Sequence, residues 1–176
     1  MNIKENTSVF GVEKIQKEIR NYLKTSDFIN PSSITLTLKK VIRFYSDNGF
    51  GYSHLDEMKI SNNLRYFLNR LNQKVYGSSC RRYGNKIPTI SIYEWEQTNP
   101  HIHLLMDRPD HIDEDLWSDL IQSNWSKTQF GNHQIKVVPT YDENGWIDYI
   151  TKVYSKDMKN HPDHYDCVNT NLPSTN

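Results

Sequence analysis

The spacing of apolar positions changes period several times along the chain, and each change marks an element. Val12, Ile15, Ile19 and Leu23 fall on one helical stripe, predicting a first helix over about 11–25, closed by Asn30-Pro31-Ser32-Ser33. Ile34-Thr35-Leu36-Thr37-Leu38 alternates with period two, so a strand begins here. The β-rich run extends that strand to about Tyr45, with a turn over Ser46-Asp47-Asn48-Gly49-Phe50-Gly51. Leu64, Phe67, Leu68 and Leu71 then predict a long amphipathic helix from Asp56 to Val75, followed by a polar, basic loop from Gly77 to Lys86. Ile87 to Glu96 and His101 to Asp107 read as two strands joined at Gln97-Thr98-Asn99 into a hairpin. Leu116, Leu120, Ile121 and Trp125 return at helical spacing between Ile112 and Lys127, with Asp113, Glu114 and Asp115 in the first turn where the helix dipole favours acids. A strand over His133 to Pro139 and a helix over Glu143 to Lys156, its stripe made by Trp146, Ile150 and Val153, complete the pattern.

After the first helix the order is β-α-β-β-α-β-α, which predicts an α+β fold. Its core, about 32–157, is a ferredoxin-like or RRM-like βαββαβ unit: an antiparallel sheet with two helices on one face. The extra N-terminal helix and the C-terminal helix complete one domain over 1–160, and the polar stretch 161–176 is expected to be a frayed tail. The same order serves RNA binders of the RRM type, in which Tyr93 and Trp95 would stack on bases, so the fold alone does not choose a function.

Composition narrows the choice. The 176 residues suffice for one substantial core, and no run approaches the 18 apolar residues of a membrane span. The first residues lack the apolar stretch of a signal peptide, giving a cytoplasmic location as the expectation. Cys80 and Cys167 lie far apart without metal-type spacing and read as free thiols. No Gly-x-x-x-x-Gly-Lys-Ser/Thr phosphate loop is present, so any strand unwinding is expected from another protein, a separate helicase, or from a segment outside these residues. Formal net charge is zero, yet residues 31–90 carry 10 Lys/Arg against 3 Asp/Glu, and residues 91–176 carry 6 against 14. The asymmetry reads either as ordinary solvated charge on helix faces or as a local groove for a phosphate backbone.

Two short strings carry the chemistry. On a strand, His101 and His103 project from one face about 6.6–6.8 Å apart along the backbone, close enough to hold one metal ion. On a helix, Tyr149 and Lys152 are i,i+3 neighbours that present a phenol and an ammonium on one surface. His54, His111, His133, His161 and His164 lie in turns, at element ends or in the tail and read as surface groups.

Pro100-His101-Ile102-His103-Leu104-Leu105, followed by Tyr149-Ile150-Thr151-Lys152, resembles the HUH endonucleases, and in particular the rolling-circle replication initiators with a single catalytic tyrosine. Ile34-Thr35-Leu36-Thr37-Leu38 is similar to the first motif of that family. The resemblance implies a metal-dependent endonuclease and strand transferase. Tyr149 would be the nucleophile, Lys152 its supporting cation, and His101 and His103 the ligands of Mn²⁺ or Mg²⁺. The family's third ligand is often an acid shortly before the first His; Glu94 fits, with Glu96 in reserve because it shares the same parity. The implied substrate is single-stranded DNA at an origin or hairpin. Lys39, Lys40, Arg43, Arg81, Arg82 and Tyr83 are the candidates to track its backbone. A single-strand DNA transposase of the same superfamily would use similar residues. A non-catalytic RRM-like binder and a metal-dependent hydrolase without a covalent step are the readings from other classes.

Overall fold

The computed structural model describes residues 14, 17–47, 49–94, 99–151 and 165–173. Residues 17–23 are helical and form α1. The other elements are β1 (Pro31–Leu38), β2 (Val41–Ser46), β3 (Gly49–His54), α2 (Glu57–Tyr76), α3 (Ser79–Arg82), β4 (Thr89–Glu94), β5 (His101–Asp107), α4 (Glu114–Trp125), β6 (Gly131–Pro139) and α5 (Glu143–Ile150). Four strands pair antiparallel in the order β4-β5-β1-β6, and β2 and β3 form a separate hairpin.

Alternation along the strands sends side chains to two covered faces. On one face Ile34, Leu36, Ile102 and Leu104 meet Phe67 and Leu71 of α2 and Trp117, Ile121 and Trp125 of α4. On the other, Ile90, Ile92 and Leu105 meet Leu23 of α1 and Ile147 and Ile150 of α5. Most of these side chains are wholly buried, each contributing about 1.5–3 kcal/mol by leaving water. The chain is thus α+β with an antiparallel sheet, compatible with a ferredoxin-like arrangement. The two crossover helices share a face as the sequence predicts, and the two terminal helices cover the opposite one.

Aspartates start the main helices. Asp56, Asp113 and Asp142 each accept the backbone N–H three residues on, from Lys59, Leu116 and Gly145, at 2.8 Å. Such a cap stabilises by about 1 kcal/mol. At α5 the Asp142 carboxylate lies directly over Gly145, where a Cβ would make it shift.

Three expectations are corrected. The first strand does not continue to Tyr45: β1 ends at Leu38, Lys39 N–H donates to the Phe130 carbonyl, and the chain leaves the sheet as the β2–β3 hairpin. The expected turn over 46–51 is accordingly shorter, since Gly49, Phe50 and Gly51 already pair with β2. The expected frayed tail is also different over 165–173. Tyr165 bridges Ile92, Asn171 bridges Thr89, and Asp166 and Asn169 are buried against the edge of β4. That cover satisfies an edge strand that would otherwise be open to pairing. The basic loop contains the short helix α3, and the part of the last helix expected after Thr151 lies outside the described residues. Cys80 and Cys167 are free. Among the described residues no helix is long and apolar enough to cross a membrane.

Candidate metal centre

His101 and His103 alternate with the core residues Ile102 and Leu104, so both imidazoles leave β5 on the face covered by α5. The β4–β5 register sets Glu94 opposite His101 and Ile92 opposite His103, which brings the Glu94 carboxylate to the same face. Three donor atoms converge: His101 Nε2 is 3.1 Å from His103 Nε2, and Glu94 Oε2 lies 3.2 Å from the first and 3.4 Å from the second. All three side chains are largely withdrawn from solvent.

The hydrogen bonds behind the rings decide what they present. His101 Nδ1 lies 2.9 Å from the Asn99 carbonyl, which only accepts, so a ring proton sits there and in the neutral tautomer this selects the Nε2 lone pair faces inward. His103 Nδ1 lies 3.2 Å from the Thr35 hydroxyl, its cross-strand partner on β1. Burial, and after it the neighbouring His101, holds His103 down at about 4, so its ring is uncharged at neutral pH. When His103 Nδ1–H donates to Thr35, two lone pairs and a carboxylate oxygen face one another with no proton between them, and a cation relieves that repulsion. The spacing suits one. With bonds of about 2.1 Å, ligands at 90° stand about 3.0 Å apart and at 109° about 3.4 Å apart, bracketing the observed triangle. Among the described residues Glu94, His101 and His103 are therefore a group able to hold a metal ion.

Tyr149 belongs to the same place. Ile147 and Ile150 anchor α5 in the core, which leaves Trp146 and Tyr149, three apart, on the flank turned toward the histidines. The Tyr149 ring is 5.7 Å from that of His103 at 75°, and it stacks on Trp146 at 5.2 Å and 22°. Trp146 meets His103 edge-on at 5.5 Å, and its indole N–H donates to the Leu104 carbonyl at 3.2 Å. From α1, Arg20 donates to the Thr151 hydroxyl at 2.7 Å and to its carbonyl at 2.9 Å, and Lys24 pairs with Asp148 at 2.7 Å. These contacts fix the end of α5 on either side of Tyr149. The half-exposed tyrosine looks onto a cavity of about 850 Å³ whose walls include Thr35, His101, His103, Lys136 and Trp146.

The other candidates divide by position. Lys152 and Glu96 lie outside the described residues, as does Trp95. Lys39, Lys40 and Arg43 leave the sheet at the end that carries His101, since Thr37 pairs with His101 and Leu38 N–H donates to the Pro100 carbonyl. Arg81, Arg82 and Tyr83 sit before β4, toward the Asp107 end of the sheet, which lies about 14 Å from His103 and about 20 Å from His101 along the strand. Asp107 itself accepts the backbone N–H groups of Ile29 and Asn30 and takes no part in the metal group. Tyr93 is buried beneath the helices, so it offers no stacking surface. His54, His111 and His133 are exposed as expected, and His133 also borders the cavity. Thr35, Asn99, Lys136, Arg20 and Lys24 complete the site and were not singled out for it from the sequence. Only the Thr-rich alternation of β1 hinted at one of them.

Comparison with known proteins supplies no relative: no protein-family model matches the chain, and neither a curated protein nor a solved structure matches it.

Two outcomes follow from the site itself. Thr35→Val removes the partner of His103 Nδ1 while keeping the strand's shape. It is expected to weaken Mn²⁺ binding by about 10- to 100-fold by titration calorimetry, and unchanged affinity would show that the contact does not orient the ring. His103 also makes stability depend on pH. Its folded value lies below that of the unfolded chain, so its contribution is complete above about 6.5 and is lost as pH falls toward about 4. Urea unfolding of the metal-free protein should lose up to about 3 kcal/mol over that window relative to His103→Gln. Parallel pH profiles for the two proteins would refute this.

Proposed function

We propose that this chain is an HUH-type endonuclease and strand transferase that nicks and rejoins single-stranded DNA to initiate rolling-circle replication. The observation that carries the reading is the convergence of Glu94, His101 and His103 beside the ring of Tyr149, with both imidazoles and the tyrosine lining one open cavity. A divalent cation in that group, Mn²⁺ or Mg²⁺, supplies Lewis-acid polarisation of the scissile phosphate. Glu94 and the two imidazoles would hold it, with the Asn99 carbonyl fixing the His101 tautomer and the Thr35 hydroxyl available to accept from His103 Nδ1–H.

Tyr149 then attacks phosphorus. The phenolic oxygen forms the new P–O bond, the bond from phosphorus to the 3′ oxygen breaks, and the proton lost by the phenol is balanced by the one gained at the leaving 3′ hydroxyl. The product is a 5′-phosphotyrosine, which keeps the bond energy so that a later 3′ hydroxyl can reverse the step without ATP. Trp146 restrains the attacking ring by stacking, and Lys136, the cross-strand neighbour of Thr35, places a cation on the cavity wall for phosphate oxygens. Lys152 is proposed as a second such cation. Unwinding of duplex DNA would be the work of a separate helicase.

The test is to incubate the protein with a labelled pool of random-sequence single-stranded DNA and Mn²⁺, and to look for labelled protein on a denaturing gel. The reading predicts a denaturant-resistant adduct that chelation of the metal prevents. Cleaved DNA with no adduct would leave a plain hydrolase in its place.

A further inference from the structure

The β2–β3 hairpin stands apart from the four-stranded sheet, and its two faces differ. Ile42 packs toward the main core on one face, and the Phe44 ring lies so close over Gly51 that a Cβ there would meet it at 2.6 Å. The register puts Arg43 opposite Tyr52 and Tyr45 opposite Phe50, so these four side chains share the other face. There Tyr45, Phe50 and Tyr52 are 75%, 57% and 61% exposed. The Arg43 guanidinium lies 3.9 Å from the centre of the Phe50 ring and 5.0 Å from that of Tyr45, and Phe50 and Tyr52 meet edge-on at 6.0 Å.

An isolated two-stranded hairpin is marginal in water, and three exposed rings gathered on one face of it are costly unless something covers them. Charge indicates what. Over residues 31–55 Lys39, Lys40 and Arg43 stand against one acid, Asp47. Flat rings interleaved with cations, free of a hydrophobic groove, suit unpaired bases strung on phosphates better than a protein surface. The hairpin also follows β1 from the end where Thr37 pairs with His101, so it leaves the sheet at the same end as that ligand, with a reach of about 20 Å per strand.

We propose that the outer face of the β2–β3 hairpin is a base-stacking platform for single-stranded DNA, on which Tyr45, Phe50 and Tyr52 each receive a base and Arg43, Lys39 and Lys40 follow the phosphates. That this platform serves the strand entering the metal site rests on the function proposed above; its own binding chemistry does not.

The test uses fluorescent oligodeoxythymidylate, with chelator present so that no cleavage intervenes. Each ring replaced by Ala should weaken binding by about 5- to 150-fold, and Tyr45→Ala/Phe50→Ala/Tyr52→Ala together should nearly abolish it. Tyr52→Phe, which keeps the ring, should bind as the unaltered protein does, with circular dichroism verifying the fold of each variant. Undiminished binding by the triple variant would overturn the proposal. So would tighter binding of oligouridylate than of the DNA probe, or a dimer in sedimentation that the triple variant turns to monomer, which would assign the face to a second copy. The adduct assay separates the two readings. Ring-dependent binding without an adduct would keep the platform and sink the nuclease, and an adduct with ring-independent binding would do the reverse.

Discussion

Tyr149→Phe is expected to abolish the covalent protein–DNA adduct, a loss of the order of 10³-fold or more in strand cleavage, while DNA binding stays within a few-fold of the unaltered protein. The substitution is well suited to the question because it deletes one oxygen and leaves the ring. Stacking on Trp146 and the edge contact with His103 both persist, so the ring keeps its place beside the metal group. Quantifying adduct on denaturing gels alongside fluorescence anisotropy separates chemistry from affinity. An adduct that survives in Tyr149→Phe would transfer the nucleophile to another residue, and simple cleavage that survives without an adduct would favour activation of water at the metal group.

Removing a member of the metal group should have an effect of similar size by a different route. Glu94→Ala and His103→Ala each delete one of the three donors, and each is expected to lower Mn²⁺ affinity by more than the roughly 10- to 100-fold that an outer partner such as Thr35 costs. The two differ in what they leave behind. Without Glu94 the site loses its one negative ligand among the described residues, whereas without His103 it loses a buried ring that Trp146 and Tyr149 also touch. Glu94→Gln keeps the shape and removes the charge. Raising the Mn²⁺ concentration should therefore restore adduct formation in Glu94→Gln and not in Tyr149→Phe. Calorimetry showing full Mn²⁺ affinity in Glu94→Gln and His103→Ala would dismiss the group as a metal site.

Much of this site is written in local pattern. The period-two alternation of β5 brings His101 and His103 to one face, and counting parity back along β4 reaches Glu94, because pleating alone decides which side chains share a side. Period 3.6 likewise orients Tyr149 once Ile147 and Ile150 are core. What escaped the pattern needs register across strands. Thr35 supports His103 only because those two residues are paired, and Lys136 reaches the cavity only because it pairs with Thr35 in turn. The hairpin was hidden for another reason. Residues 41–46 are as β-prone as β1, so no break in composition marks the point at which the chain leaves the sheet, and Gly49 and Gly51 look like a turn although they lie in β3. Residues 165–173 show a third limit. Their main-chain bonds to Thr89 and Ser91 leave no mark in composition, and the two apolar residues that pack, Tyr165 and Leu172, are too far apart to set a period.

The central claim is that Tyr149 and the metal group act on one phosphate. Its most direct measurement is mass spectrometry of the protein after reaction with single-stranded DNA and Mn²⁺, followed by nuclease trimming and proteolysis. The account predicts a peptide containing Tyr149 that carries a 5′-phosphonucleotide on its phenolic oxygen and disappears when the metal is chelated. DNA attached to any other residue, or cleaved strands with Tyr149 unmodified, would contradict it.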